Sequence, residues 1–293
     1  MRYAVSMPNF GVGLDAAAVG DAAATAEAAG WDGFFLWDHT LAFPPGPVDL
    51  VDPWIALTVA ATRTRRLRLG TLVTPLPRRR PVDLARQVVT LDHLSGGRVT
   101  LGVGLGSMPF EWEYGGEEPD PVVRGAMLDE ALEVLTALWT AEPVRHEGTH
   151  YRLAGPDGWG ALHHPPPVQR PRVPVWVGGT WPTGARPLRR AARWDGVVPM
   201  RLDGRWEPSD TAGVAALVRR HRGFLDGFDV AVPGESDAGA GGEVTGAHAE
   251  AGATWWVEAV HPWRFGYTDG GPWPGTAMVD RIAAGPPRAA PRP

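Results

Sequence analysis

The residues able to do chemistry in this chain fall where short apolar runs stop. Asp38 and His39 follow Gly33-Phe34-Phe35-Leu36-Trp37. A run of this kind, with no helical periodicity, reads as a buried strand. Polar side chains at the C-terminal tip of such a strand are where parallel α/β folds build their sites. An imidazole there suits proton transfer near neutral pH, although a structural hydrogen-bond donor is the plainer role for His39. Gly102, Gly104 and Gly106 alternate along a second run. One face of that strand tip is bare, either for a flat ring to lie against or because it belongs to a tight barrel layer or turn. It is not a dinucleotide fingerprint, because G-x-G-x-x-G lacks its third glycine after Gly106. Gly178-Gly179-Thr180 end a third run shortly before a helix. Backbone N–H groups, a hydroxyl and the positive end of a helix dipole suit a phosphate. An ordinary glycine turn capped by Thr183 is the competing reading.

Absences narrow the chemistry further. Cysteine is missing, which removes disulfides, thiolate nucleophiles and cysteine-bound metals. Lysine is missing too, all 28 basic residues being arginine, so Schiff-base and pyridoxal phosphate chemistry are excluded. His146 and His150 lie in a hairpin pattern and His163-His164 precede three prolines, so neither pair suggests a catalytic zinc, and no metal is expected. The net charge of -5 offers no general attraction for nucleic acid or an anionic membrane. Arg78-Arg79-Arg80 is the one dense basic run and reads as a solvated loop. With no signal-like leader and no apolar span, the expected location is cytoplasmic. Fourteen tryptophans are many for 293 residues. Trp37, Trp112, Trp159, Trp181, Trp206 and Trp263 fall in or beside strand-end loops, which suggests an aromatic pocket for a planar cofactor or substrate.

The elements that would position these residues alternate regularly. Strands are expected at Arg2–Pro8, Gly33–Asp38, Leu67–Thr74, Val99–Leu105, Val173–Gly179, Gly196–Met200, weakly at Asp229–Val232, and at Ala253–Val260. Between them fall helices, among them one capped by Asp15, one opening at Asp52-Pro53, one at Pro81–Leu94 and a long one at Pro121–Thr140. The loop Phe43 to Pro47 is proline-rich. Val144 to Leu153 reads as a hairpin, and Gly155 to Arg172 as a long irregular insertion before strand five, of the kind that serves as a lid or is poorly ordered. Eight strands alternating with eight helices predict a single (β/α)₈ TIM barrel over residues 1–285, with a disordered tail at 286–293. Strand-tip candidates then also include Asn9, Thr71 to Thr74, Ser107, Met200, Arg201, Glu235, Glu258 and His261.

Several segments together resemble the bacterial luciferase-like family of flavin- and coenzyme F420-dependent oxidoreductases. They are AEAAGWDGFFLWDH, LGTLVTPLPRRRP, LDHLSGGRVTLGVGLG, MLDEALEVLTALW with EGTHY, and PVWVGG followed by RRAARWDGVVP. The resemblance implies FMN or F420 across the barrel mouth, for hydride transfer to or from a small molecule or for its monooxygenation. It implies His39 as the catalytic proton donor or base, with Asp38 beside it. Thr71, Leu72 and Val73 would form the strand-three tip against the ring, with a cis peptide at Leu72–Val73. Gly104 and Gly106 would pass the cofactor, and Gly178, Gly179 and Thr180 would hold its phosphate. A homodimer and a reductase supplying reduced cofactor are further implications. One departure is Ser107, where some sugar-phosphate dehydrogenases of the family carry a glutamate; Glu111 and Glu113 lie farther on. A metal-dependent barrel hydrolase or isomerase, and a non-catalytic flavin-binding protein, are the readings from other classes.

Overall fold

The computed structural model describes residues 1–41, 48–154, 159–183, 185–202, 205–237, 241–268 and 271–287. Eight parallel strands close into a barrel: β1 Arg2–Met7, β2 Gly33–Leu36, β3 Arg68–Pro75, β4 Val99–Gly104, β5 Val175–Thr180, β6 Gly196–Met200, β7 Asp229–Gly234 and β8 Trp255–Ala259. Neighbours follow chain order, and β1 closes on β8 with Ala4 opposite Val257. The weakly patterned β7 pairs with both neighbours and is needed for closure.

The expected caps form. Asp15 accepts from the N–H of Ala18 at the start of α1, Ala16–Ala28. Asp52 accepts from Trp54 and Ile55 at the start of α2, Pro53–Arg63, with Pro53 inside the first turn. The remaining helices are α3 Pro81–Ser95, α4 Pro109–Gly115, α5 Pro121–Leu138, α6 Ala185–Ala191, α7 Pro208–Arg222, α8 Gly242–Glu250 and α9 Gly275–Ala283. The short α4 has no counterpart in the sequence reading.

Side chains alternate between the two faces of each strand. Outward ones such as Val5, Leu36, Val103 and Val177 join the helices in one large core. Inward ones build a second core from Ala4, Phe35, Trp176, Ala231, Trp255 and Val257, against which Leu72 and Val198 pack. Phe35 and Trp255 each approach Trp176 with ring centroids 5.4 Å apart, so the barrel is plugged by aromatics. The chemistry is left to the strand tips.

The insertion before β5 is corrected by the structure. Its described end, 159–172, is tied to the opposite side of the barrel from those tips. Backbone N–H groups of Val168 and Gln169 donate to Asp92, and the Gln169 amide bridges Asp92 and the Val99 carbonyl at the start of β4. This stretch therefore fastens the barrel's N-terminal end and is no lid. Of the expected tail, the Pro287 carbonyl accepts from Thr245; residues 288–293 lie outside the described residues, as does the loop Phe43 to Pro47. Among the described residues, no helix is long and apolar enough to cross a membrane.

Candidate active site

Asp38 and His39 leave the tip of β2 in opposite directions. Asp38 enters the barrel wall, its side chain 1% exposed, and both carboxylate oxygens receive donors. Arg79 donates from Nη2 to Oδ1 at 2.7 Å and from Nε to Oδ2 at 3.2 Å, while the Thr74 hydroxyl donates to Oδ2 at 2.8 Å. Burial pushes the Asp38 carboxyl up, against the pull of Arg79 and Thr74. Thr71, also fully buried, meets the Thr74 hydroxyl at 2.9 Å and the Gly102 carbonyl at 3.1 Å. These polar groups pin the tips of β2, β3 and β4 together from within the wall.

His39 remains at the mouth. Its main chain is clamped by the buried Asn9, which accepts from the His39 N–H and donates to the His39 carbonyl. Its ring lies against the edges of Phe10 and Trp37, with centroids 5.8 Å away in each case. Nδ1 sits 3.3 Å from Oε2 of Glu111, whose side chain is 1% exposed. The other Glu111 oxygen accepts from the Thr40 N–H at 2.7 Å. Burial alone would push the Glu111 carboxyl up. Hydrogen bonds from His39 and the Thr40 N–H, with the charges of His39 and Arg78, hold it instead at about 2.

Glu111 lies on the unforeseen α4, and Arg78 backs it at 3.4 Å with its own side chain 8% exposed. The basic run is accordingly not a solvated loop. Arg78 also donates to Glu117, Arg79 holds Asp38, and Arg80 alone is exposed. The one signal that could have found Glu111 is a carboxylate a few residues beyond the glycines of β4, opposite an arginine-rich turn after β3.

Beside His39, β3 makes an irregular tip. Its register with β4 shifts between Thr71 and Thr74, and the Leu72–Val73 peptide is cis, as expected. The alternating glycines of β4 accommodate this bulge. A Cβ on Gly104 would stand 2.6 Å from Cγ2 of Val73, and one on Gly102 would be 2.1 Å from the Thr71 carbonyl oxygen. Their bareness is thus filled by the neighbouring strand, and Gly106 makes a turn with φ +83° against Pro75 and Trp112. Gly178 also faces Val73, and Gly179 lets Pro187 of α6 come close: a Cβ there would be 2.6 Å from it. Leu72, Val73, Gly178, Gly179, Thr180 and Val198 are half-buried, in contrast to the fully buried residues deeper in the same strands. All of them but Gly179, which faces α6, form a seat of small and apolar residues at the inner ends of the strands.

Other candidates divide clearly. Trp37 and Trp263 stack at the mouth with ring planes 14° apart, joined by Phe10, His261 and Trp273. Trp181 instead donates to Asp210 and Trp206 to Thr211, Trp112 lies under Arg124, and Trp159 is exposed on the insertion. His261 faces Glu235 at 3.2 Å, and burial lowers its pKa against the pull of that carboxylate. Glu258 is fully buried and saturated by Ser236, Trp256, Arg264 and Arg281, which makes it a structural anchor. Arg201 pairs with Asp210 at the tip of β6, Met200 is exposed beside it, and Ser107 is exposed after β4. Among the described residues, no three His, Asp or Glu side chains are grouped to hold a metal ion.

The model of the luciferase-like monooxygenase family matches residues 2–232, which takes in the first six strands and most of β7. The chain belongs to this family. Among its relatives, an uncharacterized protein of Mycobacterium bovis is 36% identical over 194 residues, 61% of this chain and 65% of that protein. An F420-dependent glucose-6-phosphate dehydrogenase of Beutenbergia cavernae is 36% identical over 168 residues, 55% of this chain and 46% of the relative. The matches span less than two thirds of these relatives' own length. Among solved structures, an F420-dependent secondary alcohol dehydrogenase superposes with a TM-score of 0.76 at 18% identity, covering 96% of this chain and 97% of the other. The oxygenating constituent of 3,6-diketocamphane monooxygenase from Pseudomonas putida, solved with FMN, gives 0.64 at 17% identity over 80% and 67%. These likenesses confirm the luciferase-like (β/α)₈ barrel.

Proposed function

We propose that this luciferase-like protein is an oxidoreductase that binds FMN or F420 across the barrel mouth and acts on a small organic molecule. The observation that carries the reading is that His39, past the tip of β2, and the half-buried seat residues Leu72, Val73, Gly178, Thr180 and Val198, toward the ends of β3, β5 and β6, share the C-terminal mouth of one closed barrel. No charged side chain belongs to that seat, so a flat conjugated ring could lie on it without stranding a buried charge. Phosphate donors on the β5 side are the hydroxyls of Thr180 and Thr183 and the Arg201 guanidinium, which is 24% exposed and paired with Asp210. The family names and the names of the relatives support the same cofactor pair.

When bound, the cofactor supplies the hydride transfer or oxygen activation. Leu72 and Val73 would lie against it, and Thr180 with its neighbours would hold the phosphate. Asp38 and Thr71 act one layer back, fixing the strand tips from within the wall. His39 holds or moves a proton at its imidazole, and the aromatic group of Trp37, Trp263 and Phe10 keeps water away from that side of the mouth. The family resemblance also supports a homodimer, which sedimentation velocity reads directly, and a partner reductase where the reduced cofactor must be delivered.

Absorption spectra of the purified protein after reconstitution with FMN and with F420 test the proposal. Binding of one of them at micromolar concentration is expected, and binding of neither overturns it. His39→Ala should leave cofactor affinity within about threefold while lowering turnover of a found substrate by roughly a hundredfold or more. Equal turnover would reduce His39 to a structural role.

A further inference from the structure

Glu111 divides its carboxylate between two tasks. Oε1 accepts from the Thr40 backbone, and Oε2, which also takes Nη2 of Arg78 at 3.5 Å, lies 3.3 Å from Nδ1 of His39, an ion-pair approach and not an aligned hydrogen bond. Arg78 stands behind it, and both of these side chains are almost wholly buried. An ionised carboxylate offers only acceptors, so the ring nitrogen facing it must carry the hydrogen, and in a neutral imidazole the other nitrogen is then the acceptor. We infer that Glu111 is a positioning residue that fixes His39 as the Nδ1–H tautomer and leaves Nε2 as the basic nitrogen.

The contact is not needed to shape the loop. Asn9 already clamps the His39 main chain through both its amide atoms, and Oε1 of Glu111 takes care of Thr40. What Oε2 adds is orientation of the ring, between the flanking edges of Phe10 and Trp37. The role rests on the reading of His39 as the proton-handling group of the mouth, and it makes that group a base rather than a donor in its neutral form.

Glutamine at this position separates orientation from packing. In Glu111→Gln the Thr40 N–H retains the amide oxygen as its acceptor, which turns the amide NH₂ toward Nδ1. Two donors cannot face each other, so the ring proton moves to Nε2. The experiment is nitrogen NMR of protein labelled with ¹⁵N-histidine, at about pH 8, above the ordinary imidazole range. A His39→Gln sample assigns the resonances of that ring among the nine histidines. The wild-type protein is expected to show Nδ1 protonated, and Glu111→Gln to show Nε2 protonated, with FMN or F420 affinity unchanged within about twofold. A wild-type ring protonated at Nε2, or the same tautomer in both proteins, overturns the inference. Should Glu111→Gln fail to fold, the wild-type spectrum still decides. Should neither cofactor bind, the proposed function fails while the tautomer assignment stands on the spectra alone.

Discussion

Acid should dissect what Glu111 contributes to stability. In the fold it titrates at about 2 rather than at the usual 4.5: burial would raise the value, and the hydrogen bonds from His39 and Thr40, with the charges of His39 and Arg78, outweigh it. As the pH falls, the unfolded chain takes up this proton before the folded one does. The stabilisation is therefore complete above about pH 4.5 and is lost as the pH falls through about 2. A displacement from 4.5 to about 2 corresponds to about 3 kcal/mol at neutral pH. Thr40 and the edge of the imidazole reach solvent, and screening there trims the figure to about 2 kcal/mol. Glutamine at 111 does not titrate, so the quantity to follow is the stability difference between wild type and Glu111→Gln. Urea unfolding monitored by tryptophan fluorescence at several pH values from 7 to 3 gives it. The difference should shrink below about pH 4.5, by up to about 1.4 kcal/mol per pH unit, as the wild type loses its advantage. A difference that stays constant down to pH 3 would refute the argument, because the carboxylate would then titrate alike in both states.

Two further substitutions probe the wall behind the mouth. Asp38→Asn leaves Arg79 with only the more exposed Asp52, 3.8 Å away, as counter-charge, and because that guanidinium is 17% exposed the loss should fall near the lower end for a broken buried pair, about 3 kcal/mol in urea unfolding; a loss below about 0.5 kcal/mol would show that the pair does not hold the β2 tip. Gly104→Ala forces a Cβ to within 2.6 Å of Val73 and should cost about 1–3 kcal/mol by overpacking. Adding Val73→Ala should recover part of that loss, and strictly additive losses would mean that the two residues do not press on each other.

Much of the barrel was legible because its signals are local. Asp15 and Asp52 mark helix starts within three residues of the groups they cap, and the apolar runs of β2, β4 and β5 announce strands without reference to anything distant. The short α4 carries no such mark: it is seven residues long, opens on Pro109, and makes no side-chain cap. β7 was faint because Pro233 and Gly234 end its apolar pattern, although both pair with β8. The site was legible only in part for the same reason. His39 stands beside its own strand, whereas the carboxylate at Thr40 and His39 comes from a helix 71 positions beyond Thr40. The alternating glycines of β4 could be read as a platform or as a packing surface. Only the position of Val73 decides between them.

The arginine run shows why composition misleads at this point. A solvated loop and a buried brace look alike in sequence when the partner carboxylates lie 41 and 33 positions away. What distinguishes them is geometry that guanidinium supplies and an ammonium group does not. Arg79 spans both oxygens of Asp38, and Arg78 reaches Glu111 and Glu117 at once. In a chain with no lysine, these forks brace the residue before His39 and the residue against its ring. Both arise from the turn that directly follows β3, the strand whose tip forms the seat beside the imidazole. Seat and imidazole are thus fastened to one stretch, residues 71–79. Their separation is set by that stretch and its carboxylate partners, as the proposed cofactor site requires.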